Sequence, residues 1–123
     1  MPARSVLVVE DDPVILRLLE VNFELEGFTV LLAHDGAEGI EVARAQLPDA
    51  VVTDIMMPHT SGLELLTALR GDPDTKGIPI ILLSAKAQTS DLKTGLEAGA
   101  DDYITKPFEP LALVERVNAL LSR

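Results

Sequence analysis

Four short strand-like runs in this chain each stop on residues that can do chemistry. Ser5-Val6-Leu7-Val8-Val9 runs into Glu10, Asp11 and Asp12, and Ala50-Val51-Val52-Thr53 runs into Asp54. Pro79-Ile80-Ile81-Leu82-Leu83 stops at Ser84, and Asp102-Tyr103-Ile104-Thr105 stops at Lys106. Three carboxylates brought close together repel, so one keeps its proton unless a cation neutralises them. Oxygen-only ligation without histidine or cysteine suits a hard ion. Magnesium takes one or two carboxylates and keeps positions for water and phosphate oxygens. A lysine beside such a site pairs with a phosphoryl oxygen as a point charge, and a serine hydroxyl donates to another. Glu10, Asp11, Asp54, Ser84 and Lys106 would together stabilise a phosphoryl group in transfer, with Asp54 as the nucleophile. Each residue alone also fits a duller role, as a solvated turn, a cap or a surface charge. Four strand ends with compatible chemistry are harder to dismiss.

That convergence requires a fold that brings the strand ends to one edge. After the first strand, Pro13 suits the opening of a helix, with Asp12 as its N-cap. Val14, Leu18, Val21 and Leu25 follow at helical spacing, joined by Ile15, Leu19 and Phe23, and Gly27 ends the helix. Phe28 to Ala33 reads as the second strand, and Asp35-Gly36 as a turn. Ala37, Ile40, Ala43 and Leu47 make a second helical stripe closed by Pro48. Ser61 and Glu64 form a capping box opening a helix with Leu63, Leu66 and Leu69. Gly71, Pro73 and Gly77 make the next loop, before the fourth strand. Leu92 and Leu96 mark a short helix that stops near Gly99. The last helix carries Leu113, Val114, Val117, Leu120 and Leu121. Strand and helix thus alternate five times. Such alternation predicts an α/β fold, a (βα)5 doubly wound, five-stranded parallel sheet with helices on both faces. Right-handed crossovers set all strand C-termini along one edge, where ligands bind at the point of strand-order reversal.

Composition narrows the field. A chain of 123 residues with 47% hydrophobic and 24% charged residues is one soluble domain with a real core. Without cysteine there is neither a disulfide framework nor a thiolate metal site. No apolar run approaches a membrane span and no signal-peptide core opens the chain, so a cytoplasmic home is expected. The net charge of -10 repels phosphate backbones, which argues against direct nucleic-acid binding.

Taken in order, V-L-V-V-E-D-D-P, V-T-D-I-M-M-P-H-T-S-G, L-L-S-A and G-A-D-D-Y-I-T-K-P-F resemble the receiver domain of bacterial two-component response regulators. The resemblance covers essentially the whole chain. It implies a flavodoxin-like strand order 2-1-3-4-5 and residues 1–123 as a single receiver domain without an output domain. Asp54 matches the phosphorylated aspartate, and Asp11 the direct magnesium ligand. Glu10 would act on the ion through water, and the Met56 main-chain carbonyl would be a further ligand; manganese would serve as a substitute ion. Ser84 matches the hydroxyl that follows the phosphoryl group, Lys106 the lysine that bonds it, and Tyr103 the aromatic that turns inward on activation. Pro107 would follow a cis peptide bond with Lys106. The donor would be a histidine kinase or a phosphotransfer protein. The output would pass through the surface of the fourth helix, fifth strand and fifth helix (Asp91 to Arg123) to an effector or output domain. The protein would be a monomer or a phosphorylation-dependent dimer, and not an enzyme beyond its own phosphorylation and dephosphorylation.

Met56 and Lys86, two residues beyond Asp54 and Ser84, would tune the lifetime of the phosphoryl group. An apolar Met56 gives an attacking water little help, which implies a lifetime of minutes or longer. His34 and His59 have no part in this chemistry and are expected in surface loops. Arg116 fits receivers that drive DNA-binding effectors, but Ala112 stands where dimers of that kind often carry an acid. Two other readings compete. A haloacid-dehalogenase-type phosphatase also uses an aspartyl phosphate and magnesium, but it carries D-x-D after the first strand, unlike E-D-D-P here. A receiver-like interaction module that is never phosphorylated usually lacks pocket residues, and none is missing. A flavin binder is disfavoured by an aromatic content of 3%.

Overall fold

The computed structural model describes residues 4–57, 60–85 and 89–122, the side chains of 89–92 excepted. Strands β1 (Ser5–Val9), β2 (Thr29–Ala33), β3 (Ala50–Asp54), β4 (Ile80–Ala85) and β5 (Asp102–Lys106) alternate with five helices. These are α1 (Pro13–Leu25), α2 (Gly36–Gln46), α3 (Gly62–Arg70), α4 (Thr89–Glu97) and α5 (Pro110–Leu121). The strands form one parallel sheet in the order β2-β1-β3-β4-β5, as the alternation and the resemblance implied. The order reverses between β1 and β3, which puts the ends of those two strands side by side at the crevice.

Burial explains why the central strands read as unbroken apolar runs. Every residue of β3 is buried, as is all of β4 before Ala85, because helices cover both faces. The edge strands β2 and β5 are only half covered and correspondingly more mixed in sequence. Alternate residues feed two cores. Val6, Val8, Val52 and Leu83 pack with Leu16, Leu19 and Phe23 of α1 and with Leu113, Val114 and Val117 of α5. Leu7, Val9, Val51 and Leu82 pack against Ala43 of α2 and Leu65, Leu66 and Leu69 of α3. Phe23 meets Phe28 edge to face at 5.2 Å.

The local caps follow the sequence. The Asp12 carboxylate accepts from the Val14 and Ile15 amides, ahead of Pro13 in the first turn. Ser61 and Glu64 close the reciprocal capping box of α3. Of the two apolar rows of α1, one faces outward. Val14, Leu18, Val21 and Leu25 are exposed, and the buried face of α1 is Leu16, Leu19 and Phe23. Both sets share helical spacing, so periodicity gives the repeat without saying which face turns inward. Leu47 is also exposed, beyond the end of α2, with φ 47°. The following Pro48 disfavours helical backbone at that position, so the helix stops at Gln46. Leu96 of α4 is likewise exposed, and the Leu92 side chain lies outside the described residues.

Arg70, at the end of α3, fastens the far side of the sheet. Its guanidinium donates to the carbonyls of Gly99, Lys76 and Ile78 at 3.0, 3.0 and 2.7 Å, and to Asp101 Oδ2 at 2.8 Å. The same Asp101 oxygen accepts from the Ile80 amide at the start of β4. Only a planar guanidinium serves so many acceptors at once. Arg70→Ala would remove the guanidinium from a largely buried carboxylate and from these carbonyls, at an expected cost of about 3 kcal/mol. Urea unfolding should show the midpoint drop, with Arg70→Lys recovering only part of it. An unchanged midpoint in the alanine variant would refute this role.

Candidate functional site

The C-terminal edge collects the residues singled out above. β1 is completely buried from Val6 onward, and the chain leaves it through Glu10, which is 0% exposed; Asp11 is exposed at the rim. Asp54 ends β3 and is 6% exposed. Its backbone is held firmly: the Ile55 amide donates to the Leu83 carbonyl, and the Gly62 amide returns to the Ile55 carbonyl. That return brings Gly62 so close to the Asp54 carbonyl that a Cβ there would collide with main chain. Glycine is required by space alone.

Lys106 reaches across from the end of β5. Its ammonium donates to Glu10 Oε1 at 3.0 Å and lies 3.1 Å from Asp54 Oδ2. The bond from Lys106 to Pro107 is cis. Ser84 is buried on β4, one residue beyond the partner of Asp54 in the register, and its hydroxyl donates to the Ala85 carbonyl. Glu10, Asp11 and Asp54 each present a carboxylate oxygen within 4.8 Å of the others. Glu10 Oε2 is buried and has no hydrogen-bond partner among the described residues. Three converging carboxylates and one orphaned buried oxygen suit a hard divalent ion, with or without an intervening water.

Electrostatics agree with that chemistry. Burial, followed by hydrogen bonding with Asp54 and the Asp54 charge, pushes Glu10 up from 4.5 to about 8, against the pull of Lys106. Burial alone would lower the Lys106 pKa, but its bond to Glu10 and the Asp54 charge outweigh that and raise it, so the lysine stays cationic. A carboxyl whose folded pKa exceeds its unfolded one binds more protons when folded. Its contribution to stability is therefore present below about pH 4.5 and is lost as pH rises through about 8. Metal-free protein should accordingly melt at falling temperature over that window, and Glu10→Gln should flatten the slope. Parallel slopes in the two proteins would argue against a protonated Glu10.

Other singled-out residues lie around this core. Met56 is exposed just past β3. Tyr103 is 40% exposed on β5. With Pro107, Phe108, Ala112 and Arg116 it borders a groove of about 400 Å³, beside the 2.7 Å ion pair of Arg116 and Asp102. His34 is exposed and pairs with Glu38 at 2.9 Å. Lys86 and His59 lie outside the described residues. Sequence reading missed one support of the site, Gly62, and the Arg70 clasp at the opposite edge of the sheet. The Ser61-Gly62 pair at the start of α3 carried a signal for the first, and nothing local marked the second.

Known proteins share this arrangement. The family model for the response regulator receiver domain matches residues 6–118. The transcriptional regulatory protein PrrA of Mycobacterium tuberculosis is 50% identical over 119 residues, covering 96% of this chain and 50% of that protein. The DNA-binding response regulator MtrA of Mycolicibacterium smegmatis is 42% identical over 120 residues, covering 98% of this chain and 51% of that protein. The chain thus spans about half the length of the curated relatives it matches. Among solved structures, a putative response regulator from Chloroflexus aurantiacus superposes with a TM-score of 0.93 at 38% identity. It covers 99% of this chain and 100% of its own. The receiver domain of the sensor histidine kinase PA1611 from Pseudomonas aeruginosa, with magnesium in its active-site cleft, superposes at 0.91 with 30% identity. It covers 99% of this chain and 100% of its own. With this sheet order, this cluster of carboxylates and a family match over nearly its whole length, the chain belongs to the receiver domains of two-component response regulators.

Proposed function

We propose that Asp54 accepts a phosphoryl group, with magnesium held by Asp11, Asp54 and the Met56 carbonyl and by Glu10 through water. The observation that carries this reading is the Lys106 ammonium set 3.1 Å from Asp54 among carboxylates within 4.8 Å of one another. An Asp54 carboxylate oxygen attacks phosphorus in line, the bond from phosphorus to the donor's imidazole nitrogen breaks, and an acyl phosphate forms. Lys106 holds one phosphoryl oxygen and Ser84 donates to a second. Bound magnesium, or manganese in its place, supplies positive charge to the remaining oxygens. The PA1611 receiver domain, with its magnesium, supports the choice of ion. A divalent ion held there would favour ionised Glu10, so its affinity should strengthen as pH rises toward 8.

The donor is a phosphohistidine on a kinase or phosphotransfer protein in the cytoplasm, and this domain catalyses only its own phosphorylation and dephosphorylation. Residues 1–123 act as one receiver unit and do not touch nucleic acid directly. The new charge draws Ser84 toward it and lets Tyr103 turn inward, which alters the face of α4, β5 and α5 that an effector or output domain reads. Acetyl phosphate with magnesium should add one hydroxylamine-labile phosphoryl group, found by mass spectrometry on the peptide holding Asp54. Chelation should prevent it. Met56 and Lys86 set the decay, expected to take minutes or longer. Label on another residue, or label indifferent to chelation, would overturn the reading.

A further inference from the structure

Strand β2 supplies no side chain to the site, yet the connection from it to α2 touches both chain segments that do. At its start the Ala33 carbonyl accepts from the Glu10 amide at 3.1 Å, which holds the end of β1. Three residues on, the Gly36 amide donates to the Thr60 carbonyl at 3.2 Å. Thr60 leads through Ser61 into Gly62, whose own amide holds the Ile55 carbonyl just past Asp54. Glu10 and Asp11 are thus fastened to one end of the connection, and Asp54 and Ile55 to the other through the opening of α3. Neither end has slack. Gly36 is buried, and a Cβ on it would collide with the Thr60 carbonyl and methyl groups. The opening of α3 cannot retreat, because Gly62 already lies against the Asp54 carbonyl. One turn further along α2, Gly39 is as tight, but against the core side chains of Leu65 and Val9.

We propose that the connection from Ala33 to Gly36 is a spacer that fixes the size of the ion site, and that Gly36 is a specificity-determining residue favouring magnesium over calcium. This rests on the reading of Glu10, Asp11, Asp54 and the Met56 carbonyl as the surroundings of the ion. Magnesium requires near-octahedral oxygens at about 2.0–2.1 Å, whereas calcium accepts about six to eight oxygens at about 2.3–2.6 Å. Two ligand-bearing segments held at one separation suit the ion with the narrower demand. Gly36 has no side chain to offer and acts only through Thr60, as a positioning residue. A methyl group there pushes Thr60 away, and with it the segment from Asp54 to Met56. The loss then falls mainly on magnesium, because calcium follows a displaced ligand more easily.

Manganese bound to the 123-residue chain, followed through the paramagnetic resonance of the free ion, can be displaced by magnesium and by calcium to give the ratio of their affinities. In G36A, magnesium should bind about tenfold more weakly, with calcium within about threefold of wild type. G39A, which crowds the core instead, should melt at lower temperature but keep the wild-type ratio. An unchanged ratio in G36A would overturn the proposal, and so would an equal drop in G39A. Should G36A fail to fold, Asp35 decides the matter, because its carboxylate caps α2 by accepting from the Glu38 amide at 2.8 Å. D35A frees the turn and should lower the ratio about threefold, while D35N keeps a cap and should not. An unchanged ratio in D35A would then overturn the proposal. Manganese binding that D54A leaves intact would place the ion elsewhere and defeat the reading of the site together with the proposal. Binding that D54A abolishes, with a ratio that G36A leaves alone, defeats the proposal only.

Discussion

Asp54→Ala, treated with acetyl phosphate and magnesium, is expected to take up no phosphoryl group at all. The loss should be complete because the nucleophilic oxygen itself is removed, and among the described residues no other carboxylate stands in the same relation to Lys106. Glu10 also touches that lysine, at 3.0 Å, but it is fully buried and holds a proton at neutral pH, which leaves it a poor nucleophile. Asp11 is exposed at the rim, and the structure gives it no ion pair with the lysine. Removing Asp54 also removes charge that repels Glu10, so the Glu10 carboxyl should titrate closer to its ordinary range. The alanine variant should then be at least as stable as the wild type above neutral pH, which separates lost chemistry from lost folding. Label retained on the folded variant would sink the assignment of Asp54.

The second large effect falls on a residue with no functional group. Gly62→Ala places a methyl group against the Asp54 carbonyl and the main chain of Ile55. Neither neighbour is a side-chain end that can swing aside. The Asp54 backbone is tied into the sheet by β4, and the Gly62 amide itself bonds the Ile55 carbonyl. Relief therefore means moving the start of α3 away from the end of β3, opening the packing of the buried Leu65, Leu66 and Leu69. A cost of about 3 kcal/mol is expected, which lowers Tm by roughly 10 °C for a domain of this size. Phosphorylation should also slow in whatever fraction stays folded, because the shift acts on the Asp54 carbonyl. A thermal midpoint within a degree or two of wild type would show that the loop yields freely.

Several features were legible in the sequence because their causes are local. Asp12 before Pro13, and Ser61 three residues before Glu64, state their caps within a single turn of chain. The strands were legible because two-sided burial leaves little but aliphatic residues in them. The pairing of Lys106 with Glu10 spans 96 positions, yet it follows from strand ends sharing one edge. The phase of α1 was not legible: both of its apolar rows fit a helix, and only the packed sheet decides between Leu16 and Val14. Arg70 was hidden for another reason. Its partners lie up to 31 residues away and are mostly backbone carbonyls, which carry no mark in the sequence. Gly62 looked like any helix-opening glycine until the returning loop gave it a neighbour.

The Arg70 clasp also fixes the mechanics of α4. Gly99, whose carbonyl it grips, follows the last turn of that helix at φ 112°, and Asp101 ties the next residues to the start of β4. One end of α4 is thus anchored, and a tilt of the helix becomes rotation about that anchor, with its opening residue as the free end of the lever. A nine-residue helix gives an arm of about 13 Å, so a tilt of about ten degrees carries Thr89 about 2 Å. The travel is greatest at the end that follows β4 and Ser84, and it vanishes where α4 joins β5.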